Sequence, residues 1–299
     1  MIDLHVHTTA SDGRLSPTET LRRAAAAGVD RLVFTDHSVV TFEGLGDEAA
    51  AAGVALPFPG VEVSTYFGGR KHHLVIYGPG VLDERFRQFI RFPVERRAAV
   101  LAAVRDLLVA EGVDLPEMAA IQRGAAPGLT PADGSAFPSR SKMASVLAAA
   151  TGSSWEAAHR KVARLHRSVD EADAGAPGWH ARRYLPTDAV LDEARAVGGT
   201  CALAHALWEC RSDDDVVELI EQLPALVDRG LWGIATRSYH HRPVDDHPLL
   251  TRCADRLGLV PIGGSDFHGN GKTEIGCDPT SMESYTALAA TFAPREALR

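Results

Sequence analysis

The sequence predicts an α/β fold, with a barrel of seven parallel strands favoured over a doubly wound sheet. Three observations carry that expectation. Seven short apolar runs recur along the chain, helical patterns fill most gaps between them, and polar residues gather at the ends of many different runs. Barrels assemble their sites from many strand ends, whereas an open sheet concentrates its ligand residues at one switch point.

The first run alternates Ile2, Leu4 and Val6 with Asp3, His5 and His7. Ser16-Pro17-Thr18-Glu19 then supplies an N-cap, a proline at the first helical position and a capping-box glutamate, and Gly28 closes that helix. Leu32-Val33-Phe34 is the second run, followed by Thr35-Asp36-His37. The third is PFPGVEV, with Glu62 between Val61 and Val63. The fourth, Leu74-Val75-Ile76-Tyr77, starts directly after His72-His73. Residues 83–112 and 140–169 read as helical, and RGAAPGLTPADGSAFP between them reads as a mobile connection. The stretch from Tyr77 to Thr200 is far longer than a strand-to-strand crossover needs. An inserted helical subdomain over residues 83–183 is therefore expected, interrupting a barrel built from 1–82 and 184–299. Thr187 can cap a helix that runs to Val197. Cys201-Ala202-Leu203-Ala204 precedes His205, a helix follows over 213–229, and Leu231 to Ala235 is the sixth run. After a helix over 246–257, Leu259-Val260-Pro261-Ile262 leads into Gly263-Gly264-Ser265-Asp266-Phe267-His268.

Composition excludes several classes. Of 299 residues, 45% are hydrophobic and 23% charged, which is incompatible with disorder. No apolar run approaches the ~20 residues of a membrane span, and Met1 leads straight into the first run without a secretory leader. Four scattered cysteines with no CxxC pair fit a reduced, cytoplasmic protein. A net charge of −8 argues against a passive polyanion binder. Thirteen histidines are the unusual feature, and their positions carry the functional reading.

His5 and His7, two apart on a strand, point to the same face. Two imidazoles there need partners, because an unpaired buried polar ring costs about 1–3 kcal/mol. The same situation recurs. Asp12 follows His7 after a short turn, His37 ends the second run, Glu62 sits in the third, His73 opens the fourth, and His205, Asp266 and His268 complete the set. One catalytic zinc takes three protein ligands. Nine imidazole and carboxylate groups therefore indicate two or three divalent ions bridged by a carboxylate. Mixed nitrogen and oxygen ligands suit manganese, zinc or iron. His72 alternates with His73 on its strand and is expected on the outer face.

The segments HVHTTASDG, FTDH, GVEV and GSDFH, with HLVIYG and LAH between them, resemble the PHP family, the polymerase and histidinol phosphatase domains. The resemblance covers nearly the whole chain apart from the insertion. It implies a distorted (β/α)7 barrel and a trinuclear site: His5, His7, Glu62 and Asp266 on one ion, Glu62, His73 and His205 on a second, Asp12, His37 and His268 on a third. Within the family the pattern is most similar to small bacterial phosphoesterases acting on nucleotides and short oligonucleotides. The chain departs from that branch at Ser38, at Ala206, in the sixth run and at Ser139-Arg140-Ser141-Lys142, where only the arginine of an Arg-Pro-His segment remains. None of these positions is an implied ligand.

A cluster of such ions activates water and neutralises phosphoryl charge, so hydrolysis of a phosphate ester is the expected chemistry. Arg140, Arg182 and Arg183 are candidates for gripping the substrate phosphate, since the planar guanidinium suits phosphate oxygens. His240, with Tyr239 and His241, is a candidate for contact with a sugar or base. Trp208 is a candidate stacking platform, and the basic stretch from His159 to Arg167 a candidate polyanion contact. The expected partner is a small phosphorylated, nucleotide-like molecule. The alternatives are a 5′-3′ exonuclease or phosphodiesterase on short RNA or DNA, a histidinol-phosphate-type phosphatase, and a metal-bearing module without turnover.

Overall fold

A computed structural model describes residues 1–122, 137–172, 183–208, 210–237, 247–269, 271 and 273–292. In chain order the elements are β1 (Ile2–Val6), α1 (Pro17–Ala26), β2 (Arg31–Phe34), α2 (Gly46–Ala52), β3 (Gly60–Phe67), β4 (Arg70–Tyr77), a 3-10 turn (Pro79–Leu82), α3 (Glu84–Phe89), α4 (Phe92–Ala110), α5 (Met118–Gln122), α6 (Arg140–Thr151), α7 (Trp155–Asp170), β5 (Leu185–Pro186), α8 (Thr187–Ala196), β6 (Thr200–Leu203), α9 (Asp213–Asp228), β7 (Leu231–Ile234), α10 (Pro248–Arg256), β8 (Val260–Pro261) and α11 (Met282–Ala290). The fold is mixed α/β. All seven apolar runs form strands, and the two-residue β5 is an addition that the sequence reading lacked.

The strands pair as a six-stranded sheet, β5-β3-β4-β6-β7-β8, and a two-stranded sheet, β1-β2. Parallel bridges link Val6 to Phe267 and His37 to Glu62, so the small sheet touches both the segment after β8 and β3. The sequence predicts parallel strands throughout, but β4 runs antiparallel to both β3 and β6. Gly68 and Gly69 explain this. Both have positive φ, 56° and 74°, which suits the two-residue hairpin turn that reverses the chain. The reversal brings the start of the fourth apolar run to the same end as the C-termini of its neighbours. His73 pairs with Ser64, and its carbonyl accepts from Ala204 N, one residue before His205.

Most strands are buried on both sides. Val61, Val63, Leu74, Ile76 and Leu203 pack with Val190, Leu219 and Leu250 from α8, α9 and α10. The alternate residues Val75, Tyr77 and Ala202 pack with Leu4, Val33 and Ile262, and Tyr77 Oη donates to Leu4 O at 3.1 Å. Double-sided burial is why these runs read as nearly continuous apolar stretches.

The capping box predicted for α1 is present: Ser16 Oγ accepts from Glu19 N, and Glu19 Oε2 accepts from Ser16 N. Two expected helices are each broken. Residues 83–112 divide into α3 and α4, with Pro93 in the first turn of the second helix. Residues 140–169 divide at Gly152, which is left-handed (φ 65°), before Ser154 caps α7. Thr187 is the first residue of α8 rather than its cap, and its hydroxyl donates to Thr65 Oγ1. Between β4 and β5, helices α4 to α7 share an apolar cluster of their own that includes Leu101, Val104, Leu108, Met143, Leu147 and Val162. The Gly- and Pro-rich connection lies, up to residue 136, outside the described residues.

Candidate metal centre

The nine imidazole and carboxylate side chains singled out from sequence converge. Their ligand atoms form three overlapping groups, each within 4.8 Å: His7, Asp12, His37 and His268; His5, Glu62, His205 and Asp266; and His37, Glu62 and His73. The residues come from β1 and the turn after it, the segment after β2, β3, β4, and the segments after β6 and β8. These groups divide the residues differently from the sets implied by resemblance, with His7 beside Asp12, His37 and His268, and His205 beside His5, Glu62 and Asp266. Nε2 of His7 lies 3.1 Å from Glu62 Oε2 and 3.0 Å from Asp266 Oδ1, with His5 Nε2 3.4 Å from both oxygens. On the other side of the same carboxylate, Glu62 Oε1 lies 2.7 Å from His73 Nδ1 and 3.0 Å from His205 Nε2. Asp12 stands 3.4 Å from His268 Nε2 and 3.8 Å from His37 Nε2.

Glu62 is the hub. Its carboxylate is fully buried and reaches five imidazoles, those of His5, His7, His37, His73 and His205. Burial alone would raise its pKa, but His73, His37 and His5 around it together hold it well below the usual range. Burial likewise opposes ionisation of Asp12, and His37 and His268 reverse the effect, leaving Asp12 well below its ordinary value. The imidazoles divide. Burial pushes His73 down to about 3 and His37 well below its usual value. For His7 burial is outweighed by its hydrogen bonds to Asp266 and Glu62, and its pKa is raised.

This arrangement fits divalent cations. Glu62 Oε2 and His37 Nδ1 are shielded from solvent, 3.1 Å apart, and neither makes a well-formed hydrogen bond. Imidazole nitrogens also face each other in pairs, His5 with His7 at 3.1 Å and His73 with His205 at 3.2 Å. Buried polar atoms of this kind are stable only with a partner, and a cation accepts lone pairs from several of them at once.

Backbone strain sits at the same place. His205 (φ 26°), Asp266 (φ 49°) and Ser38 (φ 53°), which directly follows His37, are the non-glycine residues with positive φ among those described. Each such residue costs about 1–3 kcal/mol and needs its surroundings to hold it. Ser38 N donates to Glu62 O at 2.7 Å, and Asp266 N donates to His5 O at 2.9 Å. Gly264 completes the frame, since a Cβ there would lie 2.3 Å from the Cβ of His5.

Two buried aspartates that sequence reading passed over support the ligands from behind. Asp36 accepts from Thr8 N and Thr8 Oγ1 at 2.8 Å, and from the hydroxyls of Ser11 and Thr41. It thus fixes the turn that carries Asp12 against the segment that carries His37. Asp3 accepts from the backbone N–H groups of Ser265, Gly276 and His5 and from Ser265 Oγ, which ties β1 to the segment that carries Asp266. Replacing Asp36 with alanine strands up to four donors and is expected to destabilise the fold by about 2–4 kcal/mol. It should also weaken metal retention, and thermal melts with metal analysis would check both. Unchanged values would mean that the turn holds itself.

The cluster opens on one side. A cavity of about 380 Å³ is lined by Asp12, His37, Glu62, His73, His205, Asp266 and His268, together with Arg97, Arg140, Trp155 and Trp208. Side-chain exposure falls from 23% at Asp12 and 15% at His268 to 1% at Glu62 and 0% at His7, so a ligand meets the Asp12 end first.

Of the substrate candidates, Arg140 lies on this cavity. Arg183 is buried and ion-paired with Asp170 at 2.7 Å, in an adjoining cavity. Arg182 and His240, with Tyr239 and His241, lie outside the described residues. Trp208 stands beside His205 with ring centroids 5.7 Å apart. In the basic stretch His159 stacks on Trp155 and Lys161 pairs with Glu111, which leaves His166 and Arg167 facing the adjoining cavity. His72 belongs to none of the three ligand groups, but it is buried rather than on an exposed outer face, and burial lowers its pKa to about 4. Cys201 is a core residue whose thiol burial pushes up to about 12. No described helix is long and apolar enough to cross a membrane.

Comparison with known proteins agrees with this geometry. Residues 3–93 match the model of the PHP domain. The chain is 30% identical to the 3′,5′-nucleoside bisphosphate phosphatase of Chromobacterium violaceum, covering 92% of this chain and 90% of that protein. It is 29% identical to the phosphoribosyl 1,2-cyclic phosphate 1,2-diphosphodiesterase of Eggerthella lenta, covering 89% and 94%. Among solved structures, a protein of Bifidobacterium adolescentis shares the fold with a TM-score of 0.72 at 22% identity, over 99% and 98% of the two chains. From the strand-end histidines, the buried hub carboxylate and a full-length relative at this identity it follows that the chain belongs to the PHP family of metal-dependent phosphoesterases and is a hydrolase.

Proposed function

We propose that this hydrolase is a phosphatase that cleaves a phosphate monoester of a nucleotide or nucleotide-derived small molecule. The observation that carries the reading is the cavity of about 380 Å³, in which seven of the candidate ligands share one space with Arg14, Arg97 and Arg140. That volume falls in the range of small-molecule sites. We further read the strand pairing as a distorted seven-stranded barrel formed by 1–82 and 184–299. The bridges from Val6 to Phe267 and from His37 to Glu62 support closure. The separate apolar cluster of α4 to α7 supports an inserted helical subdomain over 83–183.

Two or three divalent ions, of manganese, zinc or iron, would be held by the nine side chains and would supply an activated water and neutralise phosphoryl charge. The chain's own residues do the rest. Glu62 joins the two deeper groups, with one oxygen turned to each. Arg97, 3.8 Å from Asp12, and Arg140 place guanidinium donors beside the exposed end of the cluster, where they orient phosphate oxygens. Trp208, next to His205, offers an apolar face to the leaving group.

The test is phosphate release by the manganese-loaded protein from nucleoside monophosphates, a nucleoside 3′,5′-bisphosphate, histidinol phosphate and a short oligonucleotide. Release from a nucleotide with the oligonucleotide intact is expected. Shortened oligonucleotides would make the chain a nuclease, and selective release from histidinol phosphate would move the reading to that amine substrate.

A further inference from the structure

The turn that carries Asp12 lies at the exposed end of the metal centre and is tied down by its backbone. Thr9 N donates to Leu15 O, Gly13 N to Thr8 O and Arg14 N to His268 O, all at 2.9 Å. Arg14 thus stands two residues after one outer ligand, Asp12, and is bonded to the backbone of another, His268. Its side chain reaches away from the strands. The guanidinium carbon lies 3.7 Å from the ring centroid of Trp155, the first residue of α7. Glu156, the next residue of that helix, adds a favourable charge at Arg14.

Trp155 is a fixed platform. Its Nε1 donates to Ser145 Oγ of α6 at 3.1 Å, and its ring stacks on His159, one turn further along α7, with centroids 4.7 Å apart. It also packs against the apolar cluster of α4 to α7, whose members all fall between residues 101 and 169. No strand residue belongs to that cluster, so packing within it does not set the position of α7 against the Asp12 turn. The contact of Arg14 with Trp155 does, together with the approach of Arg97 in α4 to Asp12 at 3.8 Å. Arg14 and Trp155 are both half-buried and both line the metal cavity. A guanidinium over an indole face gains strength as water is excluded from it.

We propose that Arg14 and Trp155 are positioning residues of the metal centre: their stacked contact clamps the turn bearing Asp12, and with it the outermost divalent cation, onto α7. Asp12 and His268 are the two most exposed of the nine candidate ligands, at 23% and 15%. A cation there is the first to exchange with solvent unless its ligands are held in place. Asp36 holds the turn from behind, and the clamp holds it from the side of the cavity. Groups that orient a ligand in this way act on metal affinity without touching the ion, because the cost of ordering the ligand is met beforehand. The inference rests on the metal-centre reading and is independent of which phosphate ester is cleaved.

The variants to make are Arg14→Met, which keeps the length of the side chain and removes its charge, and Trp155→Leu. Arg14→Lys and Trp155→Phe form the conservative pair. Calorimetric titration of the stripped protein with manganese should show the weakest site loosened by about 3- to 30-fold in the first two variants, with the tighter sites unmoved. The conservative pair should recover most of that affinity. The double variant Arg14→Met/Trp155→Leu should lose no more than the weaker single one, because both remove the same contact. Phosphate release by the first two variants should fall at limiting manganese and regain most of the wild-type kcat as manganese is raised. Losses that add in the double variant, or equal loosening of every site with an early melt of the stripped variants, would overturn the clamp. A raised KM with every manganese affinity unchanged would overturn it too and make Arg14 a substrate contact. A wild type that takes up no manganese would sink the metal centre and the clamp together. The expected manganese shifts without phosphate release from any substrate would uphold the clamp and sink the phosphatase reading alone.

Discussion

Replacing Glu62 with glutamine is expected to lower phosphate release by on the order of 10³-fold while the chain stays folded. The substitution keeps the shape of the side chain and removes its charge. In the protein that one charge faces five imidazoles, with Oε1 toward His73 and His205 and Oε2 toward His5, His7 and His37. A glutamine offers one acceptor oxygen and an amide that can only donate, so it cannot join two cation sites. Loss of metal should therefore accompany loss of rate, and metal analysis of the purified variant would show at least one ion fewer per chain. Circular dichroism separates this outcome from unfolding. If the variant keeps its full metal content and its rate falls by less than about tenfold, Glu62 does not bridge and the centre is drawn wrongly.

Much of this centre was legible in the sequence because its elements obey short-range rules. His5 and His7 follow the period of a strand, and their rings do meet. The other candidates stand beside apolar runs that all became strands. The direction of β4 was missed although Gly68-Gly69 was there to be read, since a two-residue glycine turn calls for a hairpin. Other features have no local signal. Asp3 and Asp36 look like ordinary polar residues beside apolar runs. Their partners Ser265, Gly276, Thr8 and Ser11 become neighbours only once distant segments pack. The left-handed backbone of His205 and Asp266 is imposed by tertiary structure on residue types that do not require it. The same holds for the contact of Arg14 with Trp155. The two lie far apart along the chain, and helix periodicity alone does not tell which face of α7 looks toward the metal centre.

Removing the ions is expected to lower the melting temperature, and the gap between loaded and stripped protein should widen as pH rises from about 5 to 9. Ligand at 100 times its dissociation constant stabilises by about 2.7 kcal/mol per site. At about 2–4 °C per kcal/mol for a chain of this size, each ion contributes several degrees. The pH dependence follows from opposite signs in the two states. In the ion-free protein His7 is raised despite burial, by Asp266 and Glu62, and His205 is raised despite burial by Glu62. A raised imidazole contributes stability that is fully present below its unfolded value and is lost as pH climbs through its folded value. The stripped protein should thus weaken above about pH 7. Ions require neutral imidazoles, so their binding expels those protons and tightens over the same range. Glu62 and Asp12 are depressed, and their contribution is already complete across this window, fading only in acid below about pH 4. Differential scanning calorimetry of both forms, with proton release on manganese binding measured in two buffers, would read the effect directly. A gap that stays constant with pH, together with no proton release, would mean that the imidazoles at Glu62 are not the groups the ions displace protons from.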